Sequence, residues 1–242
     1  NTANQNKILV KHIATLNINE QILKLKNFYK NIYKDVVLLS NNTYNTYYEL
    51  ALSKLVENAQ RDVLVAFQNS VKIISEKFLV DYDNIIDICK TKYNYVNQVK
   101  TGLVGGACIP AASETLNSIL PNSIFKTART INTEHIHEHL LTYLISKYIS
   151  ITSKKLNILI YGASYKANIG ELKNSNNLDF IKTLDSYTDI FNIVVVDGLI
   201  PDNKRQLTSK IKAITKEVLK KMKFKPNEIL YLAYHDIDKN NK

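Results

Sequence analysis

The stretch LNILIYGASYKANIG, residues 156–170, decides the fold, because an apolar, β-branched run ends there in a glycine turn. Leu156 to Tyr161 predict a buried strand, and Gly162 predicts a sharp turn after it. The chain then alternates between a helix, a strand, a basic helix and a strand, at about 176–186, 193–197, 203–222 and 228–233. This alternation indicates a parallel, Rossmann-like sheet.

Two further regions precede this sheet. Residues 7–11 and 36–39 predict strands around a helix at 19–33, a fragment of an α/β layer. A long helix from 48 to about 77 is predicted because apolar residues recur every three or four positions. These residues are Leu52, Leu55, Ala59, Val63, Ala66, Phe67, Ile74 and Phe78. Shorter helices are predicted at 82–90 and 133–150.

The predicted fold is therefore α/β with three domains. Residues 1–47 form a partial N-terminal α/β segment, and residues 48–152 form a central long-helix domain of the dimerisation type. Residues 153–242 form a Rossmann-like domain with a parallel sheet.

Composition limits the class of protein. The 242 residues are 45% hydrophobic and 22% charged, which is typical of a globular protein. No apolar run is long enough to cross a bilayer. Cys89 and Cys108 form no disulfide framework, which favours a reducing compartment such as the cytoplasm. The first residue is Asn1, so we expect a processed chain or part of a longer product.

The formal net charge of +10 would attract nucleic acid, an anionic surface or phosphorylated ligands. The densest basic run lies on a predicted helix without interleaved aromatic residues, so a solvated helix face is the preferred interpretation. The run consists of Lys216, Lys220, Lys221, Lys223 and Lys225. Nucleic acid is a candidate partner on charge alone.

Five of the six glycines fall in the turn at 161–170 and in the loop GLVGGACIP, residues 102–110. Bare backbone beside Cys108 would let a substrate carbon approach the thiol and would leave amides free to hold oxygen or phosphate. Lys54 and Asn58 lie one turn apart on one face of the long helix. The alternative for Cys108 is a packed, inert thiol, and the alternative for Lys54 and Asn58 is an exposed polar pair without a catalytic role.

Three histidines alternate in HIHEH, and two of them, His135 and His139, would share a helical face. No third metal ligand is evident on that face, so we expect surface histidines and no metal site.

Four segments resemble, in order, the UDP-glucose/GDP-mannose dehydrogenase family, including its UDP-N-acetylmannosamine members. They are ALSKLVENAQRDVLVAFQN at 51–69, CKTKYNYVNQVKTGLVGGACIP at 89–110, ARTIN at 128–132 and ILIYGASYKANIGELKNS at 158–175. The resemblance implies oxidation of a sugar C6 alcohol to a carboxylate by two NAD, with a cysteine that forms a thioester. It also implies that residues 7–39 match only the end of the NAD-binding domain.

The resemblance assigns roles to individual residues. Cys108 is the nucleophile, and Lys54 and Asn58 hold the reacting oxygen and a water. Lys166 reaches the nucleotide-sugar, and Tyr165 packs nearby. The implied nucleotide-sugar site comprises Gly102, Gly105, Gly106, Tyr165, Lys166 and Lys173.

Several positions depart from the family pattern. Ala112 stands where the family has an aspartate that activates the hydrolytic water, and alanine accepts no proton. Asn94 replaces an arginine, and Lys173 ends a segment that is GDxR in the family, so phosphate binding there should weaken. No glycine precedes Gly102, so the chain shows no GxGxxG turn and no recognisable NAD site.

Two main hypotheses follow. The first is a non-catalytic family homologue that lacks the NAD-binding domain and the aspartate, and serves as a binding, oligomerisation or structural module, for instance in a virion. It would pair as a homodimer or larger oligomer through the central helix, and a UDP-sugar is a candidate ligand. The alternative is the C-terminal portion of an active NAD-dependent UDP-sugar 6-dehydrogenase acting on UDP-glucose or UDP-N-acetylmannosamine. A virion protein that binds nucleic acid is a third reading.

Overall fold

The computed structural model describes residues 7–10, 18–33, 36–39, 45–96, 99–150, 155–222 and 229–233. The chain divides into two compact units, Asn1–Glu57 and Asn58–Lys242. The domain boundaries given above, 1–47, 48–152 and 153–242, stay predictions.

The first unit contains two parallel strands and a helix. Strand β1 (Lys7–Val10) pairs in parallel with β2 (Val36–Leu39), with Lys7 opposite Val36. Helix α1 (Ile18–Lys30) connects them, as a parallel pair requires. The predicted strand, helix and strand are confirmed.

Helix α2 (Asn45–Lys77) begins in the first unit and ends in the second. The predicted long helix is confirmed, but of its predicted apolar positions only Ala59 and Ala66 are buried. Four of the others are exposed, namely Leu52, Phe67, Ile74 and Phe78. Helix α3 (Tyr82–Lys90) follows, and the Asp81 carboxylate caps it by accepting a hydrogen bond from the Asn84 amide at 2.9 Å.

The glycine loop is followed by two helices that the sequence did not predict, α4 (Cys108–Ile119) and α5 (Ile124–Thr130). A π-helical turn, Ile131–His135, then leads into α6 (Ile136–Ile149). No side chain forms a capping hydrogen bond at the start of α4 or α5. The N-cap residue of α4 is Ala107, which gives no sequence signal, whereas that of α5 is Ser123, a residue type that commonly caps helices.

A four-stranded parallel sheet follows, with the order β5-β4-β3-β6. Its elements are β3 (Leu156–Tyr161), α7 (Asn176–Leu184), β4 (Phe191–Val196), β5 (Ala213–Ile214), α8 (Lys216–Lys221) and β6 (Ile229–Ala233). Ile158, Ile160 and Phe180 are fully or almost fully buried between the sheet and its helices. The predicted α/β fold with a Rossmann-like parallel sheet is confirmed.

The basic helix predicted at about 203–222 is wrong. A 3₁₀ turn at Asp202–Lys204 and strand β5 precede α8, which has six residues. Ile211 and Ala213 are buried, and the Leu207 amide donates to the Ile211 carbonyl at 3.0 Å, which closes a turn instead of a helix. Lys216, Lys220 and Lys221 are exposed on α8, whereas Lys223 and Lys225 lie outside the described residues.

Candidate functional site

An asparagine of helix α2 holds the start of the glycine loop. The Asn69 side-chain amide donates to the Gly102 carbonyl at 3.0 Å, and the Gly102 amide donates to Asn69 Oδ1 at 2.8 Å. Gly102 has a φ of 144°, which L side chains rarely adopt. The buried amide and the glycine together fix where the loop begins.

Asn69 belongs to a buried polar network centred on Asn132, in the π-helical turn. Asn69 Nδ2 donates to Asn132 Oδ1 at 2.9 Å, and Asn132 Nδ2 donates to Asp62 Oδ1 at 2.7 Å. Arg129 forms a 3.1 Å ion pair with the fully buried Asp62. Because each of these groups has a partner, the network can fix a single packing arrangement.

The network continues into the sheet region. Asn176, at the start of α7, donates from its side chain to the backbone carbonyl of Asn132 at 2.7 Å. Short π-helical segments recur at functional sites, and here the segment supplies both the Asn132 side chain and its carbonyl. The glycine loop, helix α2 and helix α7 are therefore tied through Asn132.

The glycine loop packs directly against the turn that follows β3. The Gly106 amide donates to the Asn174 carbonyl at 2.8 Å. A Cβ atom on Gly106 would lie 2.8 Å from the Tyr165 ring, and one on Gly105 would lie 2.8 Å from the Asn174 carbonyl oxygen. The structure thus brings Gly105, Gly106 and Tyr165 together, and both glycines are needed for this close approach.

Cys108 is the first residue of α4, and its thiol is exposed and unpaired by any disulfide. The first amides of a helix lack intrahelical acceptors, so they can hold a developing oxyanion beside the thiol. One turn later Ala112 is buried, with 2% of its surface exposed. The neighbouring Ser113 hydroxyl is also buried and has no hydrogen-bond partner among the described residues.

The other implied catalytic residues lie on α2. Lys54 Nζ contacts Glu57 Oε2 at 2.5 Å, and both side chains are about two-thirds exposed at 66%. Lys54 belongs to the first compact unit, whereas Asn58 and Cys108 belong to the second. A catalytic group of these three residues stays a prediction.

The implied phosphate-binding lysines are exposed near the turn. Lys166 follows Tyr165 directly, and the backbone amide of Lys173 donates to Glu171 Oε1 at 2.8 Å. Asn94 is also exposed. Both lysine side chains are accessible to an anionic ligand, and their roles stay predictions.

Asp197, at the end of β4, occupies the turn after β3. Asp197 Oδ2 accepts hydrogen bonds from the backbone amides of Ala163 and Ser164, both at 3.0 Å, and from the Ser164 hydroxyl at 2.8 Å. In a dinucleotide-binding sheet, amides in this position hold the cofactor's pyrophosphate. A carboxylate of the chain itself takes them here, so this turn does not fit the pyrophosphate of NAD.

The sequence singled out the glycine loop but missed the groups that hold it. Asn69 and Asn132 lie in segments quoted above for their resemblance, yet nothing in the sequence marks a buried asparagine. The one sequence signal for Asp197 as an acceptor of the turn's hydrogen bonds was its position directly after an apolar strand.

The surface prediction for the three histidines is wrong for His137. Its Nε2 is buried without a partner among the described residues, and its ring packs on Phe180 with centroids 5.2 Å apart, because α6 lies against α7. Burial lowers the pKa of His137, although the nearby Asp179 charge and hydrogen bonding with Asn176 oppose that shift. His139 Nε2 lies 2.8 Å from a Glu76 carboxylate oxygen, and His135 is exposed.

The described ranges contain neither a metal-binding cluster nor a membrane-spanning helix. No three His, Cys, Asp or Glu side chains in them come together as a metal-binding group. No helix in the same ranges combines the length and apolar character needed to cross a membrane.

Known proteins share parts of this sequence. Protein CapL of Staphylococcus aureus is 26% identical over 188 residues, which are 74% of this chain and 43% of CapL. The UDP-N-acetyl-D-glucosamine 6-dehydrogenase of Salmonella typhi is 28% identical over 151 residues, 58% of this chain and 35% of that enzyme. The chain therefore spans less than half the length of these relatives.

Solved structures share the fold. The UDP-N-acetyl-mannosamine dehydrogenase Cap5O from Staphylococcus aureus superposes with a TM-score of 0.63 at 18% identity, covering 96% of this chain and 59% of that one. A UDP-glucose dehydrogenase from Pyrobaculum islandicum gives a TM-score of 0.66 at 14% identity, covering 94% and 51%. Residues 49–134 match the central domain of the UDP-glucose/GDP-mannose dehydrogenase family. Over these residues, this chain is similar to that family.

Proposed function

We propose that this chain binds a UDP-sugar on the surface that the glycine loop and the turn at Tyr165 form together, and that it does not complete the oxidation of that sugar to a carboxylate. The observation that carries the proposal is the buried Ala112, one turn after the exposed Cys108. The exposed Cys108 thiol is the nucleophile that would attack a carbonyl carbon. Alanine supplies no base for the water that would release the product.

The binding half of the proposal rests on a rigid loop. Gly105 and Gly106 lie against Tyr165 and Asn174, so the loop backbone is fixed without a ligand. The Tyr165 ring gives one wall, and Lys166 gives a cation for a diphosphate. Lys173 in place of arginine offers a single point charge and no fork, so we expect modest affinity.

Calorimetric titration with UDP-N-acetylmannosamine, UDP-N-acetylglucosamine, UDP-glucose and UDP tests binding. Lys166→Ala should weaken binding about tenfold, as loss of one charge-assisted contact does. Lys147→Ala removes an exposed lysine of α6 and should leave the affinity unchanged. Absence of heat with every UDP compound at millimolar concentration would remove the proposal.

The catalytic half is tested by mixing the chain with a UDP-sugar and NAD and following NADH absorbance. We expect no sustained turnover, because the residue at position 112 cannot activate water. Continuing NADH production that Cys108→Ser abolishes would support the second candidate, an active portion of a UDP-sugar 6-dehydrogenase. That candidate is favoured by the exposed Cys108 at the uncapped start of α4.

We also propose that two copies pair through α2. Phe67 and Ile74 lie two helical turns apart, and 52% and 53% of their surfaces are exposed. Large apolar side chains on one helix face are typical of a helix that packs against a partner. A second copy of this chain offers the complementary face by symmetry.

Nucleic acid remains a candidate partner through net charge. The described part of the basic run is Lys216, Lys220 and Lys221, on one short exposed helix. Retention of DNA that falls steeply with salt would support this partner, and absence of retention at low salt would exclude it.

A further inference from the structure

A cavity of about 410 Å³ lies at the carboxyl ends of β3, β4 and β5. Its walls include Tyr161, Val196, Asp197, Gly198 and Leu199. Open parallel sheets bind ligands at this edge, and the volume is in the range of small-molecule sites. The lining includes Ala167 and Asn168, directly after Lys166, but neither Tyr165 and Lys166 nor the glycine loop, so the cavity adjoins the UDP-sugar site proposed above without sharing its named residues.

The polar groups of the cavity favour a hydroxyl ligand. Asp197 is buried, and its Oδ2 is saturated by three donors, whereas its Oδ1 accepts one long bond of 3.3 Å from the Leu199 amide. A carboxylate oxygen has room for a second donor. Oδ1 can therefore accept a hydrogen bond from a ligand hydroxyl.

The same contacts disfavour a phosphate. The amides of Ala163 and Ser164 are already paired with Asp197, so they are not available to an incoming anion. The buried carboxylate would also repel a phosphate placed at the turn. At the turn, recognition must therefore come from hydroxyl groups and from an apolar surface, whereas Lys216 and Glu217 add one charge of each sign to the wall at α8.

The apolar surface is present at the rim. Leu199 is 57% exposed beside the cavity, and Tyr161 and Val196 contribute further apolar wall. A flat base laid on Leu199 would remove that apolar area from water. We propose that this cavity is a second ligand site that binds a ribonucleoside, with a ribose hydroxyl on Asp197, the base on Leu199 and no requirement for phosphate.

Gly198 gives a direct test of occupancy. A Cβ atom at Gly198 would meet no atom within 4 Å, and its φ lies outside the left-handed region, so a larger residue there projects into open space. Gly198→Leu should weaken adenosine binding at least about tenfold, because the new side chain takes the ligand's volume. Thr142→Leu adds a similar side chain on the exposed face of α6 and should change nothing.

The experiment is calorimetric titration of the full chain with adenosine, 2′-deoxyadenosine and AMP. We expect adenosine to bind at one site with a dissociation constant below about 1 mM. The deoxynucleoside should bind about fivefold more weakly if the 2′-hydroxyl reaches Asp197, and AMP should gain no more than about threefold. Leu199→Ala, at an exposed position, should lose affinity about threefold to tenfold and decides the matter if Gly198→Leu does not fold.

Three results would overturn the inference. They are no adenosine binding at millimolar concentration, equal adenosine binding by the wild type and the folded Gly198 or Leu199 variants, and AMP binding that far exceeds adenosine binding. Tyr165→Ala should abolish UDP-sugar binding and preserve adenosine binding. This variant therefore tests the UDP-sugar site and the adenosine site independently of each other.

Discussion

At Gly170, the segment that follows β3 lies against the backbone of Leu199, in the segment that follows β4. A Cβ atom there would lie 2.1 Å from the Leu199 carbonyl oxygen, which is fixed backbone. We expect Gly170→Ala to lower the free energy of unfolding by about 1–3 kcal/mol, measured by urea denaturation.

Gly198 is the matched control for that substitution, because its Cβ direction is open. Gly198→Ala should leave stability unchanged or raise it by about 0.4–1 kcal/mol, since alanine restricts the unfolded chain. Equal destabilisation by both alanines would show that the tight contact at Gly170 is not real.

Ala112 and Ala111 are neighbours on α4 with opposite environments, the first buried and the second exposed. Ala112→Asp places a carboxylate in the interior and should lower the free energy of unfolding at pH 7 by about 3 kcal/mol. Ala111→Asp should shift it by less than about 0.5 kcal/mol. Denaturant melts of the two variants make the comparison, and similar stability would contradict the burial of position 112.

The residue types alone indicated a candidate site at the glycine loop beside Cys108. Glycine is scarce in this chain, so a cluster of glycines marks a place where the backbone turns sharply or approaches a ligand. The residue types did not predict the partners of those glycines. Asn69 and Tyr165 are distant from the loop in sequence, and tertiary contacts of this kind leave no local pattern.

At the scale of elements, Asn132 connects helix α2, the π-helical turn and α7 through four hydrogen bonds. Asn132→Leu would remove one buried hydrogen-bond partner from Asp62 and one from Asn69, which would keep only Arg129 and Gly102 respectively. We expect the free energy of unfolding to fall by about 2–4 kcal/mol and amide exchange in the glycine loop to accelerate. Asn84→Leu, on the exposed face of α3, is the control and should have little effect. Unchanged exchange at Gly102 in a destabilised Asn132 variant would show that the network does not hold the loop.

The packing of α6 on α7 should make stability depend on pH. The folded-state pKa of His137 is lowered from its ordinary value of 6.5 by burial, so the unfolded chain binds the proton more readily. The contribution of His137 to stability is therefore complete above about pH 6.5 and is lost as pH falls below it.

The measurement compares unfolding free energies at pH 7.5 and 5.5 for the wild type, His137→Gln and His135→Gln. His137→Gln should reduce the loss of stability at the lower pH, whereas His135→Gln, at an exposed position, should keep it. Identical pH dependence in all three proteins would contradict the burial of His137.

Long elements were predictable from periodicity, and short ones were not. The 33 residues of α2 and the β-branched run of β3 carry clear patterns. Helices α4 and α5 lack capping hydrogen bonds from side chains, and the lysine-rich segment before α8 resembles a basic helix in sequence although Ile211 and Ala213 are buried in a turn and a strand. In each failure a tertiary contact outweighed the local pattern.

At the scale of the whole molecule, assembly through α2 is the main consequence of the exposed apolar face. The double variant Phe67→Ser/Ile74→Ser should convert a dimer to a monomer, because it removes two half-exposed apolar side chains from the face proposed to meet the partner. Light scattering after size-exclusion chromatography gives the mass. Tyr93→Ser, at a fully exposed position on the α3–α4 connection, should leave the mass unchanged. A wild-type chain that is monomeric at all concentrations would exclude the pairing.

The carboxylate of Asp197 gives the sheet a built-in counterion. In many α/β proteins the amides of this turn bind a phosphate, whereas here they bind a carboxylate that belongs to the chain itself. Inorganic phosphate and pyrophosphate should therefore leave amide exchange at Ala163 and Ser164 unaltered, because both amides already pair with Asp197. The turn is therefore ordered by a side chain of the protein and needs no bound ligand.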